Sequence, residues 1–168
     1  MRTSFIIFCC VFFATSVHAA CNSNMPASTP DSQLTDNGDG TITDSKTGLM
    51  WKQCLEGLSG DCSGTAETFT WQEALQRPGT VNGDGGFAGY SDWRLPNIKE
   101  LRSIVEEQCS NPAINASRFP STPSSNVWSG SPYAYNSGGA WNVNFNVGYS
   151  YALNRSDGNA VRLVRGGQ

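Results

Sequence analysis

Histidine is almost missing from this chain of 168 residues: the single one, His18, lies within the first twenty. Beyond that point no Ser-His-Asp triad, Cys-His pair or His-ligated zinc, copper or iron site can be assembled. Six cysteines are present without a CxxC spacing, which argues against a thioredoxin-like redox pair and a Cys-only zinc ribbon. Neither GxxxxGK[ST] nor GxGxxG occurs, so no phosphate cradle of those kinds is written here. Charge is sparse, at 15% of residues with a formal net charge of −3, and offers nothing for generic attraction to nucleic acid or a membrane surface. No apolar run approaches the roughly 20 residues of a transmembrane helix. Leu, Ile, Val and Phe together make fewer than one residue in five, and five Trp and five Tyr supply the missing core area. With 18 Gly and 8 Pro the chain favours short elements and shaped loops over a helical bundle. What survives is carboxylate or arginine chemistry, or binding.

Residues 1–20 read as a secretory signal. Arg2 opens it, Phe5 to Val17 is weakly polar throughout, and Val17-His18-Ala19 puts small residues at the −3 and −1 positions of a cleavage site. Cys9 and Cys10 leave with it, and four cysteines remain: Cys21, Cys54, Cys62 and Cys109. An even set in an oxidising compartment predicts two disulfides among three possible pairings. Cys54 with Cys62 closes a short loop holding Gly57, Ser59 and Gly60, and Cys21 with Cys109 follows by elimination. The rival reading makes Cys21 a lipidated N-terminus, because Ala19-Ala20-Cys21 resembles the end of a lipoprotein signal. The mature protein is expected in the periplasm or outside the cell, with a polar leader over 21–32 and one domain over 33–168.

Periodicity and turn chemistry give the order of elements. Leu34 to Asp36 and Thr41 to Thr43 flank Asn37-Gly38-Asp39-Gly40, a hairpin turn, and Leu49-Met50-Trp51 follows. Thr70 with Glu73 is a capping box that starts a helix over 71–76, ended by Arg77-Pro78-Gly79. Asn97 with Glu100 is a second box, with Ile98, Leu101, Ile104 and Val105 on one face of a helix to about Gln108. Val127 to Ser131, Trp141 to Val147, Tyr149 to Leu153 and Ala160 to Val164 read as strands. In the second of these, alternation assigns Trp141, Val143, Phe145 and Val147 to the core and Asn142, Asn144 and Asn146 to solvent. Trp51, Trp71 and Trp93 are assigned to the core. The fold class is α+β: an N-terminal β-hairpin, two short helices, then an antiparallel sheet with long loops.

The runs DNGDGTITDSKTGLMW (36–51), FAGYSDWRLPNIKELRSIVE (87–106), VWSGSPY (127–133), AWNVNF (140–145) and VRLVRGGQ (161–168) resemble the bacterial domain family named after the C-terminal domain of the Legionella collagen-like adhesin. That resemblance implies a C-type-lectin-like fold, related to formylglycine-generating-enzyme-like domains, and a role in binding sulfated glycosaminoglycans during adhesion. The chain has no Gly-X-Y repeat, so the trimerising stalk of that adhesin is absent. None of the cysteine motif of the enzyme relatives is present, and no enzymatic activity is carried over.

Charge is uneven along the sequence, acidic over residues 20–73 and basic over 110–168, where Arg118, Arg155, Arg162 and Arg165 lie. Guanidinium forks suit sulfate and carboxylate, which makes Arg155, Arg162 and Arg165 candidates for an anionic sugar; the bland alternative is a structural ion pair with Asp92 or Asp157. The row Asn142, Asn144, Asn146, with Trp128, Tyr133 and Tyr135 to stack on a pyranose, is the second candidate. Asp36, Asp39 and Asp44 invite calcium, but their spacing departs from an EF-hand and a hairpin turn accounts for them; no cofactor is expected. The expected function is a secreted or envelope lectin-like module that takes a sulfated or other anionic glycan. The alternative is an assembly module with an envelope protein partner and no glycan. A hydrolase built on a carboxylate pair is the weakest reading, since no pair stands out. Oligomeric state is not legible.

Overall fold

The computed structural model describes residues 19–166; the segment expected to be a secretory signal, residues 1–20, lies outside the described residues apart from Ala19 and Ala20. Among the described residues nine strands form three antiparallel sheets, accompanied by two helices. Strand β1 (Ala20–Cys21) pairs with β5 (Cys109–Ser110). Strands β2 (Leu34–Asp36), β3 (Thr41–Asp44), β4 (Met50–Lys52) and β9 (Val164–Arg165) form the second sheet in the order β2-β3-β4-β9. The third contains β6 (Asn126–Pro132), β7 (Gly139–Asn144) and β8 (Tyr149–Asn154) in sequence order. This is the α+β class expected. No described helix is long and apolar enough to cross a membrane.

The β2–β3 hairpin forms where the turn residues place it. The amide of Asn37 donates to Thr41 O at 3.1 Å, and that of Gly38 to Asp36 Oδ1 at 2.9 Å. Gly40 has φ +83°, and a Cβ there would lie 2.9 Å from the Phe87 ring, so both conformation and space require glycine. The three aspartates serve the backbone around them: Asp39 accepts from Thr41 N, and Asp44 from Lys46 N and Thr47 Oγ1.

Helix α1 (Trp71–Gly83) starts at the expected Thr70/Glu73 box but runs seven residues past Gln76, straight through Pro78. Proline costs the helix one hydrogen bond. Tertiary contacts outweigh that cost: Ala74 and Pro78, one turn apart, are both buried, and Asn82 grips Trp93, donating to its carbonyl at 2.8 Å and accepting from its amide at 3.0 Å. Helix α2 (Ile98–Ser103) is shorter than its apolar pattern, because the chain leaves the helix at Ile104 and Val105 bridges to Ile114. Its apolar face is nonetheless inside: Leu101, Ile104 and Val105 are buried.

The pattern of β7 also needs correction. The strand ends at Asn144, Asn142 is fully buried and Val147 is 47% exposed. Both faces of the third sheet are covered over much of their area. Val127 and Val143 join a cluster with Leu101 and Ile104, whereas Trp128 and Ala140 join another with Ala74, Trp93 and Leu163. Alternation in a sheet covered on both sides does not separate core from solvent. Trp51 and Trp93 are in the core as expected, but Trp71 is only half-buried. The closing strand is cut to Val164–Arg165, with Asn159 and Ala160 in isolated bridges.

Both disulfides pair as expected, Cys21 with Cys109 and Cys54 with Cys62. The first occupies the sulfur that lipidation of Cys21 would need. Behind it the leader is built into the fold around Glu106, whose buried carboxylate accepts from Ser28 N and Thr29 N, each at 2.8 Å, Thr29 Oγ1 at 2.9 Å and Gln108 N at 3.2 Å. Burial pushes its pKa up, the hydrogen bonds from Ser28, Thr29 and Gln108 pull it down, and the net position is below the usual carboxylate value. A depressed folded pKa contributes stability above the unfolded value of about 4.3, and that contribution is lost as pH falls through the folded value. Glu106→Gln is expected to cost about 1.5–3 kcal/mol at pH 7 and to flatten the loss of stability on acidification below about pH 4.3; urea midpoints measured from pH 7 to pH 3 check both.

Candidate functional site

The least covered part of the third sheet lies where β7 and β8 extend beyond α2. Trp141 on β7 is opposite Ala152 on β8, and Gly139 opposite Asn154. Directly paired residues share a face, so Ser150, Ala152 and Asn154 lie on the Trp141 side. Trp141 is half-buried, and Tyr133 meets its ring edge to face at 5.2 Å and 86°. Tyr135, 91% exposed, packs on Tyr133 with ring centroids 5.7 Å apart.

Two cavities lie on this side of the sheet and a third on the α1 side. One of about 210 Å³ lies among Ile98, Lys99, Arg102, Trp141 and Ser150. A second, about 190 Å³, is bounded by Tyr133, Asn136, Gly139, Ala152 and Asn154. The third, about 480 Å³, opens over Trp71, Gln72, Leu75, Arg155 and Ser156. No lining residue is common to any two of these cavities. Trp71 packs with Trp128, Ala140 and Ala74 of α1, whereas Val143, on the Trp141 side, packs with Leu101 and Ile104, so the third cavity is a separate shallow groove on the other face of the sheet, with Trp71 and Arg155 along it.

Fixed contacts hold Arg155 and Trp71 in this groove. The Arg155 guanidinium lies 4.2 Å from the Trp71 ring and donates through Nε to Gly139 O at 3.0 Å. Trp71 is fixed in turn, donating Nε1 to Ser129 O at 2.8 Å and its amide to Arg155 O at 2.9 Å. Arg155 has no carboxylate within 4 Å among the described residues, and neither has Lys99 on the α2 side of the sheet. Arg102 donates to Ser150 Oγ at 3.4 Å and makes an exposed pair with Glu107 at 3.3 Å, which contributes little. The groove can therefore offer apolar ring faces to a sugar and hydrogen-bond donors to an anionic substituent.

Of the residues singled out in the sequence, Tyr133 and Tyr135 lie together beside Trp141, and Arg155 lies apart from them over Trp71. The other arginines point elsewhere. Arg162 is fully buried over Phe119; it donates to the carbonyls of Lys52 and Gln53 and, at 2.7 Å, to Thr122 Oγ1. Burial lowers its pKa, and the Glu56 carboxylate partly offsets that. Arg165 forks onto Asp92 at 2.7 and 3.2 Å and stacks on Tyr90 at 3.8 Å. Its hydrogen bond holds the Asp92 carboxyl below the ordinary range, the ion pair weighed above. Arg118 lies toward Asp31 in the leader, at 3.5 Å, so the basic end of the sequence is not one patch.

The asparagine row does not form a solvent-facing set either. Asn142 donates to Tyr151 O at 2.7 Å from inside the sheet, Asn144 donates to Asn126 Oδ1 at 2.8 Å, and Asn146 lies in the turn after β7, where its amide donates to Asn144 Oδ1. Trp128 is fully buried and donates Nε1 to Phe69 O at 2.9 Å. Reading the sequence missed Trp141, Trp71, Lys99 and Arg102. The spacing of Lys99 and Arg102, three apart on the polar side of α2, was a signal available for two of them; the pairing of β7 with β8 was not.

Among the described residues no group of three or more His, Cys, Asp or Glu side chains is placed to hold a metal ion. No curated protein matches the chain. The model of one family, the Lcl C-terminal domain, does match, over residues 40–165. These are most of the residues that build the fold and the groove, and the chain belongs to the Lcl C-terminal domain family.

Proposed function

We propose that this protein is an exported envelope module that binds anionic glycans in the groove over Trp71 and Arg155, without catalysis and without a cofactor. The observation that carries the reading is the Arg155 guanidinium stacked on Trp71, with no carboxylate within 4 Å among the described residues. Stacking platforms flanked by unpaired cations match sulfated or carboxylated sugars in both apolar and charged character. Lining residues are aromatic, amide, hydroxyl and cationic, with no carboxylate pair among them, which favours binding over hydrolysis. Two disulfides support an oxidising compartment outside the cytoplasm. Two helices on antiparallel sheets with long loops are compatible with the C-type-lectin-like fold implied by the family resemblance.

The test is binding of residues 21–168, oxidised, to a glycan array and a heparin surface at low and high salt, with a chelator arm. Saturable binding that weakens with salt is expected. Arg155→Ala should lower affinity about tenfold or more, on the order of 1.4 kcal/mol, while Lys99→Ala/Arg102→Ala, on the other face of the sheet, and a chelator change nothing. Folded protein that holds no glycan sinks the reading. An envelope protein partner is then the better one; Val147, before β8, and Tyr149, at its start, are exposed and favour it, and a pull-down from envelope extract would test it.

A further inference from the structure

A second concave site lies away from the groove, where the disulfide loop 54–62 meets α1. Glu56 is only 1% exposed and accepts from Lys52 Nζ at 2.6 Å and Arg77 Nε at 2.8 Å. Arg162 donates to the carbonyls of Lys52 and Gln53, and Glu56 is the charge that supports it. Two cations thus share one carboxylate directly, with the buried Arg162 guanidinium on the carbonyls next to them as a third charge, and the side chains of Lys52 and Arg77 are themselves only 12% and 29% exposed.

Neighbouring acids do not complete the balance. Asp61 is engaged by Ser59 Oγ and Ser63 N, bonds that pull its carboxyl down to about 2. Glu67 packs its stem near Gly57 and is exposed, with no ion pair to Lys52 or Arg77. The remaining charge of the two outer cations is spread over aromatic faces, Lys52 Nζ 4.4 Å from the Phe87 ring and Arg77 5.8 Å from the Phe69 ring. Partly desolvated cations without a full set of anions attract one. A cavity of about 210 Å³ is lined by Lys52, Arg77, Leu58 and Phe87 and by Glu56, whose carboxylate is taken up by the two cations.

We propose that this cavity is a binding site for a small oxyanion, a sulfate, phosphate or carboxylate group, held by Lys52 Nζ and the outer nitrogens of the Arg77 guanidinium. Guanidinium and ammonium donors on one side and an apolar wall on the other select a compact anionic group rather than a neutral hydroxyl. The site does not share a residue with the groove and stands whether or not the groove takes a glycan.

Thermal unfolding of the oxidised protein tests it, with sodium sulfate and sodium phosphate compared with sodium chloride at matched ionic strength. A saturable rise of roughly 3–5 °C is expected once the probe exceeds its Kd about tenfold. Arg77→Gln, a partly exposed position that leaves Lys52 on Glu56, should abolish the saturable part and leave the general salting effect of sulfate. Arg155→Ala should keep it. Amide chemical-shift changes on titrating the unmodified protein give an independent readout, expected at residues 52–60 and 77 and not at 150–155. A sulfated monosaccharide as a further probe separates the source: a rise matching that of sulfate assigns the site to the group on a larger molecule, and a rise with the inorganic ions alone assigns it to free anions. An unsaturable rise that Arg77→Gln retains, or shifts confined to 150–155, overturns the proposal.

Discussion

Replacing Arg162 with leucine is expected to cost about 3–5 kcal/mol of folding stability, without any direct effect on a ligand. The guanidinium ties three separated segments, the carbonyls after β4, Thr122 and the last strand region, from a position with no solvent access. Leucine of smaller volume removes the donors and leaves those acceptors buried and unpaired. Lysine is no substitute, since one ammonium cannot reproduce a planar fork with five donors. Urea midpoints of the two variants measure the loss; less than 1 kcal/mol for Arg162→Leu would show the carbonyls finding other donors. Arg165→Leu, by contrast, breaks an ion pair with an exposed aspartate and should leave the midpoint nearly unchanged.

Reversing the covalent tie between the leader and the domain should have an effect of similar size. Cys21 and Cys109 are 88 residues apart, and on the chain-entropy account closing such a loop contributes about 4–5 kcal/mol. The double variant Cys21→Ser/Cys109→Ser is expected to lose that much, against about 2–3 kcal/mol for Cys54→Ser/Cys62→Ser, whose separation is only 8. Denaturant curves of each oxidised variant give the comparison. The long tie and the Glu106 cage hold the same leader, so Glu106→Gln in the untied background should cost less than it does in the native protein.

Local chemistry was the legible part of this sequence. Both capping boxes, the Asn37–Gly40 turn and the pairing of Cys54 with Cys62 depend on residues a few positions apart, and each is found as read. What failed depends on contacts distant in sequence. Pro78 stays in α1 because Asn82 reaches Trp93, Asn142 is inside because the sheet is covered on both faces, and Arg162 is inside because residues 52, 53 and 122 converge on it. The groove follows the same rule. Tyr133, Tyr135 and Arg155 were visible as residue types, whereas Trp71 meets Arg155 across 84 positions and only the folded sheet brings them together.

The placement of β9 bears on the order in which the protein can be made. Val164 pairs with Trp51, Arg94 binds both the amide and carbonyl of Val164, and Arg162 holds residues 52 and 53. A nascent chain still lacking residues 161–165 has an open edge beside β4 and three acceptors without their donor. Such a fold cannot close before residues 161–165 have been made, and long-range closure is intrinsically slow. Until then the hundred or so residues between β4 and β9 are held by their local contacts alone, and the second sheet stays open at its β4 edge.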